Sequence, residues 1–248
     1  MPAVECAFVN LMRPFLAAVV AMTWAGCATV HSPASPVVGL EPTGSTPDEW
    51  VSWPAPEAPS FIGHLVAQRA GELVGVPLRT SAPDLPDDCT GLVRAAWRVV
   101  DLPLMAYAER GDSGVQALWR FAERRRALLS PCDLGAQAGC VARAGAVLEP
   151  GDILFFRETY DRNRDGVFND GLTHVAIVET VAVDGTVTYV HRGGSGVTRA
   201  RLNLLRPLEH GSAGVTLNDY LRPRSRLSEA VLGSELFAGA AHARWLAQ

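Results

Sequence analysis

The spacing of apolar residues changes its period at Pro150, and that change limits the possible folds more than any other feature. Before it, apolar positions recur every three to four residues; after it, they fall in short strand-like runs bounded by turn formers. Ser60 can cap a helix whose apolar stripe is Phe61, Ile62, Leu65, Val66, Leu73 and Val74, ending at Gly75 ahead of Pro77. A turn-rich segment from Arg79 to Asp88 leads to a second helix, Thr90 to Val100, with Leu92, Val93, Ala96, Trp97 and Val100 inward and Cys89 at its amino-terminal end. A third helix runs from Asp112 or Ser113 to Leu129 and turns Val115, Leu118, Trp119 and Ala122 inward. Strands are expected at Ile153–Phe156, His174–Thr180, Thr186–His191 and Val197–Leu202, with a hairpin turn at Val183-Asp184-Gly185-Thr186. Residues Ser225 to Gln248 read as a C-terminal helix, apolar through Leu227, Val231, Leu236 and Phe237. Helices first and a small antiparallel sheet after them define an α+β domain.

The amino terminus points out of the cytoplasm. Residues Phe15 to Gly26 form a short run of mostly apolar residues after Arg13, too short to span a bilayer, and read as the core of an export signal. Cys27, directly after Ala25-Gly26, resembles the acylated cysteine of a bacterial lipobox, although Trp24 stands where an aliphatic residue is usual. A plain secretory signal with Cys27 incidental is the alternative. Residues 1–11 carry Glu5 and no basic residue, so translation from Met12 fits an export signal better. Residues 1–26 are therefore assigned to a lipoprotein-like signal, 27–59 to a Pro/Ser-rich tether bearing Trp50 and Trp53, and 60–248 to one folded domain with an insertion at about 101–149. An extracytoplasmic lipoprotein on the outer or cytoplasmic membrane follows.

A net charge of −4 and a single tight basic run, Arg124-Arg125-Arg126, read as a solvated helix face, argue against nucleic acid as a partner. A monomer is expected. In an oxidising compartment Cys132 and Cys140 can close a small disulfide ring, free cysteines being the alternative, which leaves Cys89 as the odd thiol. Unpaired N–H groups at a helix start favour a thiolate, so Cys89 is a candidate nucleophile of lowered pKa. His174 opens one predicted strand and His191 closes the next, and a hairpin brings these two ends together. Nucleophile, base and orienting group are then all present.

These residues carry a resemblance to a known family. Asp88-Cys89-Thr90-Gly91-Leu92-Val93, Pro150-Gly151-Asp152-Ile153-Leu154-Phe155-Phe156, Thr173-His174-Val175-Ala176-Ile177 and His191-Arg192-Gly193-Gly194-Ser195-Gly196-Val197 resemble, in order, the motifs of the NlpC-type bacterial cell-wall cysteine endopeptidases. The resemblance covers roughly residues 60–205. It implies a miniature papain-like core, Cys89 as nucleophile, His174 as general base, His191 as third member, and amide bonds of peptidoglycan stem peptides as substrate, with no cofactor required. One departure stands out. The family's tyrosine and glycine pair ahead of the cysteine are replaced in Pro77-Leu78-Arg79-Thr80-Ser81, which leaves open a catalytically weak, envelope-binding lipoprotein of the same fold. The segment between the second helix and Pro150 exceeds the family core and is expected to shape the groove.

A last motif lies just ahead of His174. Asp161, Asn163 and Asp165 at alternate positions, Gly166 at the sixth and Asn169 at the ninth imitate a calcium loop, with Asp170 in place of the missing acid at Leu172. A structural calcium ion and a polar loop closed by its own side chains are the two readings.

Overall fold

The computed structural model describes residues 60–226 and 228–248. The signal, Cys27, the tether and Leu227 lie outside them. Helix α1 is Phe61–Glu72, a short helix α2 is Leu78–Ser81, α3 is Cys89–Trp97 and α4 is Gly114–Arg124. Strands β1 (Leu128–Leu129), β2 (Ile153–Arg157), β3 (Leu172–Val181), β4 (Thr186–Gly193) and β5 (Gly196–Asn203) follow, then two small pairs, β6 (Gly211–Ser212) with β7 (Val215–Thr216) and β8 (Tyr220–Arg222) with β9 (Val231–Leu232). The chain ends in α5 (Gly233–Leu236), β10 (Phe237–Ala241) and α6 (Ala243–Leu246). Helices on a mixed-order antiparallel sheet make the fold α+β.

Capping explains where the helices begin. Ser60 accepts from Gly63 N, Asp88 from Gly91 N, and Ser113 forms a reciprocal capping box with Gln116. The third helix stops at Arg124 rather than at Leu129, because Arg126 turns into the left-handed region and frees Leu128–Leu129 to pair as β1. Arg124 and Arg126 are exposed as expected.

The main sheet runs β1-β10-β2-β3-β4-β5 with every neighbour antiparallel. The predicted C-terminal helix is therefore corrected: residues 237–241 are a strand lying between β1 and β2, flanked by two single-turn helices. Phe237-Ala238-Gly239-Ala240-Ala241 has little intrinsic strand preference, yet its backbone completes the ladder on both sides, and pairing outweighs propensity.

Both faces of the sheet are covered, which is why β2 reads as a continuous apolar run. Ile153 and Phe155 pack with Val66, Leu92, Trp97, Leu118 and Val175 beneath the helices. Leu154 and Phe156 pack on the other face with Leu129, Tyr189, Leu236 and Phe237, against which Leu134, Ala146 and Leu148 of the insertion also lie. Cys132 and Cys140 are joined in a disulfide, with Cα atoms 5.3 Å apart. Pro150-Gly151-Asp152 is fixed by two contacts. A side chain on Gly63 would strike the Pro150 carbonyl, so α1 approaches this turn closely, and the Asp152 carboxylate accepts from Glu149 N (2.9 Å), Ala243 N (2.8 Å) and His242 Nδ1 (3.1 Å). Among the described residues no helix is long and apolar enough to cross a membrane.

Candidate active site

Cys89 is the first residue of α3, and its placement follows from its neighbours in sequence. The Asp88 carboxylate accepts from Gly91 N (2.8 Å) and Thr90 Oγ1 (2.7 Å), which sets the first turn. Gly91 packs so closely on the Pro86 carbonyl that any side chain there would collide with it, so the turn before the helix and the helix start form one unit. The sheet comes to meet this unit. Ala176 pairs with His191, and the β3–β4 ladder continues no further toward Val175, whose backbone N–H favours the thiolate form of Cys89. The residue before it is His174.

His174 and His191 meet as the hairpin predicted. Nε2 of His174 lies 3.0 Å from Nδ1 of His191, with the rings nearly perpendicular, and Nε2 of His191 lies 3.3 Å from Thr198 Oγ1 on β5. Nε2 of His174 is thus engaged by its neighbour, and Nδ1 is its other ring nitrogen. Cys89, His174 and His191 line one open cavity of about 380 Å³ together with Asp87, Asp88, Thr159, Tyr160, Arg192, Gly193, Gly194, Leu221 and Pro223. None of these residues comes from 101–149. The insertion therefore does not shape the groove as expected; its loop covers the far face of the sheet and its helix the near one.

The protonation states differ from the expectation for a helix start. Burial pushes the Cys89 thiol up to about 11, aided by the Asp88 carboxylate, and the N–H groups of Val175, Cys89 and Thr90 only partly oppose it. Burial and the neighbouring imidazole depress His174 to about 3, and burial depresses His191 to about 4 against the pull of Asp219. The lowered thiol pKa expected from position alone is thus reversed, because desolvation of the charged form exceeds what a few helix N–H groups return. The resting site holds a neutral thiol beside neutral imidazoles.

Two groups in the cleft carried no signal in the sequence. Leu78 is buried in the core, so the segment before the cysteine offers the cleft neither phenol nor hydroxyl. Tyr160, on the loop after β2, lines the cavity instead and lies within electrostatic reach of Cys89. Asp87 bridges two guanidinium groups, Arg192 at 3.1 Å and Arg79 at 3.0 Å, at the rim. A period-based reading cannot place a loop tyrosine or a rim ion pair, since neither belongs to a repeating pattern.

The candidate calcium loop is exposed and closed on its own backbone. Asp161 accepts from Arg164 N (2.6 Å) and Gly166 N (2.8 Å), Asn163 from Asp165 N (3.0 Å), Asp165 from Val167 N (2.8 Å), and Asp170 from Arg162 N (2.7 Å), while Asn169 is exposed. Among the described residues no group of three or more His, Cys, Asp or Glu side chains is arranged to hold a metal ion.

No protein-family model, no curated protein and no solved structure matches this chain.

Proposed function

We propose that the chain is an extracytoplasmic cysteine hydrolase of the bacterial envelope, with a papain-like core of the NlpC type, cleaving amide bonds in peptidoglycan stem peptides. The observation that carries this reading is the convergence of a helix-start thiol and a hydrogen-bonded histidine pair in one open cleft. As the Cys89 sulfur attacks the scissile carbonyl carbon, its proton passes to Nδ1 of His174. The carbonyl π electrons move onto oxygen, where the Cys89 N–H at the start of α3 faces the developing charge. Collapse breaks the C–N bond, His174 returns the proton to the departing amine, and a thioester remains. Water then attacks the thioester, gives its proton to His174, and releases the acid while the thiol is restored. His191 holds His174 in place throughout. The signal and Cys27 would deliver this domain to the periplasmic side of a membrane, tethered by the acylated cysteine, with muropeptides as its partners.

The test is digestion of purified sacculi. Wild type should release muropeptides and Cys89→Ala should release none; equal release by the two proteins would end this reading. A specific observation keeps a second reading alive: a thiol pushed up to about 11 beside bases depressed to about 3 and 4 is a weakly activated nucleophile. A weakly catalytic, envelope-binding lipoprotein would bind sacculi equally well as wild type and as Cys89→Ala, with no product from either.

A further inference from the structure

We infer that Thr198 is a positioning residue for the cleft base: its hydroxyl accepts the Nε2–H of His191, which sets the tautomers of both histidines and leaves Nδ1 of His174 bare. The inference rests on the hydrolase reading for its chemistry and on strand register for its geometry. His191 and Thr198 face each other directly across β4 and β5, with Nε2 and Oγ1 3.3 Å apart, while Nδ1 of His191 is 3.0 Å from Nε2 of His174.

A neutral imidazole has one N–H and one lone pair, so this row can be polarised in only two ways. In the first, Thr198 accepts from His191, His191 accepts from His174, and Nδ1 of His174 carries the lone pair. In the second, Thr198 donates, both rings reverse, and Nδ1 of His174 carries a proton. Only the first gives a base. Two observations favour it. Thr198 also lines a second cavity of about 350 Å³ with Gly194, Ser195, Gly196 and Val197, into which its own O–H can point while a lone pair stays with His191. At the other end of the row, the Cys89 thiol lines the same cleft as His174, and a protonated thiol there needs an acceptor rather than a second donor. The charged and titratable groups around the row are Cys89, Asp87, Asp88, Tyr160 and Arg192 in the cleft and Asp219 behind His191, whose field acts on His191 through space.

The experiment is nitrogen-15 NMR of histidine-labelled full-length protein without substrate, paired with kinetics on a soluble muropeptide. Wild type and Thr198→Ser should show both His174 and His191 protonated at Nε2. Thr198→Val, which keeps the β-branched shape on β5, should move His191 toward Nδ1–H and lower kcat about ten- to a hundredfold, less than a fully wrong tautomer costs in a serine triad, with KM little changed. Thr198→Ser should keep kcat near wild type. Finding Nδ1–H on His191 in wild type, or tautomers and kcat unmoved by Thr198→Val, would overturn the inference. Absence of muropeptide release by wild type would instead count against the hydrolase reading, and the NMR spectra would still judge Thr198.

Discussion

Two histidine sites stand at opposite ends of β2, one paired with a carboxylate and one with a second imidazole, and their rings are pushed in opposite directions. At the start of the strand His242 donates to Asp152, and although burial alone would discharge the ring, the carboxylate raises its pKa above the ordinary value. At the end of the strand, where Phe156 pairs with His174, the partner is another imidazole and both rings are depressed. The same side chain at similar depth is thus pushed up in one place and down in the other. The difference is the presence of one carboxylate. Asp152, which also takes two backbone N–H groups, serves the fold; in the cleft the Asp87 carboxylate is held by Arg79 and Arg192 and that of Asp88 by the first turn of α3, and the two rings bond to each other and to Thr198 instead.

His174→Ala should separate the two ends of β2 most clearly. Loss of the base should cut muropeptide turnover about a thousandfold or more while the midpoint of urea unfolding moves little, because the His242–Asp152 pair remains intact. The reverse holds for Asp152→Asn. Removing the buried partner of His242 should cost about 3–5 kcal/mol in urea unfolding, and the same protein assayed at a temperature where it stays folded should retain turnover. A drop in turnover without a drop in stability would mean that the two ends of β2 are not separable.

The pH dependence of stability sharpens the contrast. Below the ordinary imidazole value of about 6.5 the unfolded chain binds protons that His174 and His191 refuse down to about 3 and about 4, so the folded state loses stability as pH falls through that window. His242 acts with the other sign: its contribution is complete below the ordinary value and disappears as pH rises through its raised folded value. His191→Gln should flatten the acid slope of unfolding free energy against pH, and His242→Gln the alkaline slope. The smallest effect is expected from Tyr160→Phe. Tyr160 is half exposed, so water can take the place of its hydroxyl, and turnover should fall only about tenfold, less than for an enclosed oxyanion donor.

Much of the fold was legible because its signals are local. Ser60, Asp88 and Ser113 mark helix starts by their own hydrogen-bonding chemistry, and β3, β4 and β5 follow from apolar alternation around a Gly185 turn. The Cys89, His174 and His191 positions were legible for the same reason, each lying at an element end that the pattern fixes. What escaped depends on partners distant in sequence. Strand β10 is made of small residues whose strand character comes entirely from β1 and β2. His242 means nothing until Asp152, ninety residues earlier, is beside it. Position at a helix start, which favours a thiolate, is visible in a sequence; the depth of burial that raises the Cys89 thiol instead is not.

The place of β10 has a consequence for how the molecule comes into being. Its strand is threaded between two strands made more than eighty residues before it, so β1 and the β2 edge wait unpaired until residues 237–241 have been made and delivered. A chain halted short of them would present a bare strand edge to its neighbours and invite aggregation. Nor would Asp152 have its imidazole, so the turn ahead of β2 would lack its lock. Completion of the main sheet and of the turn before it therefore depends on residues 237–242, the last part of the sheet in chain order.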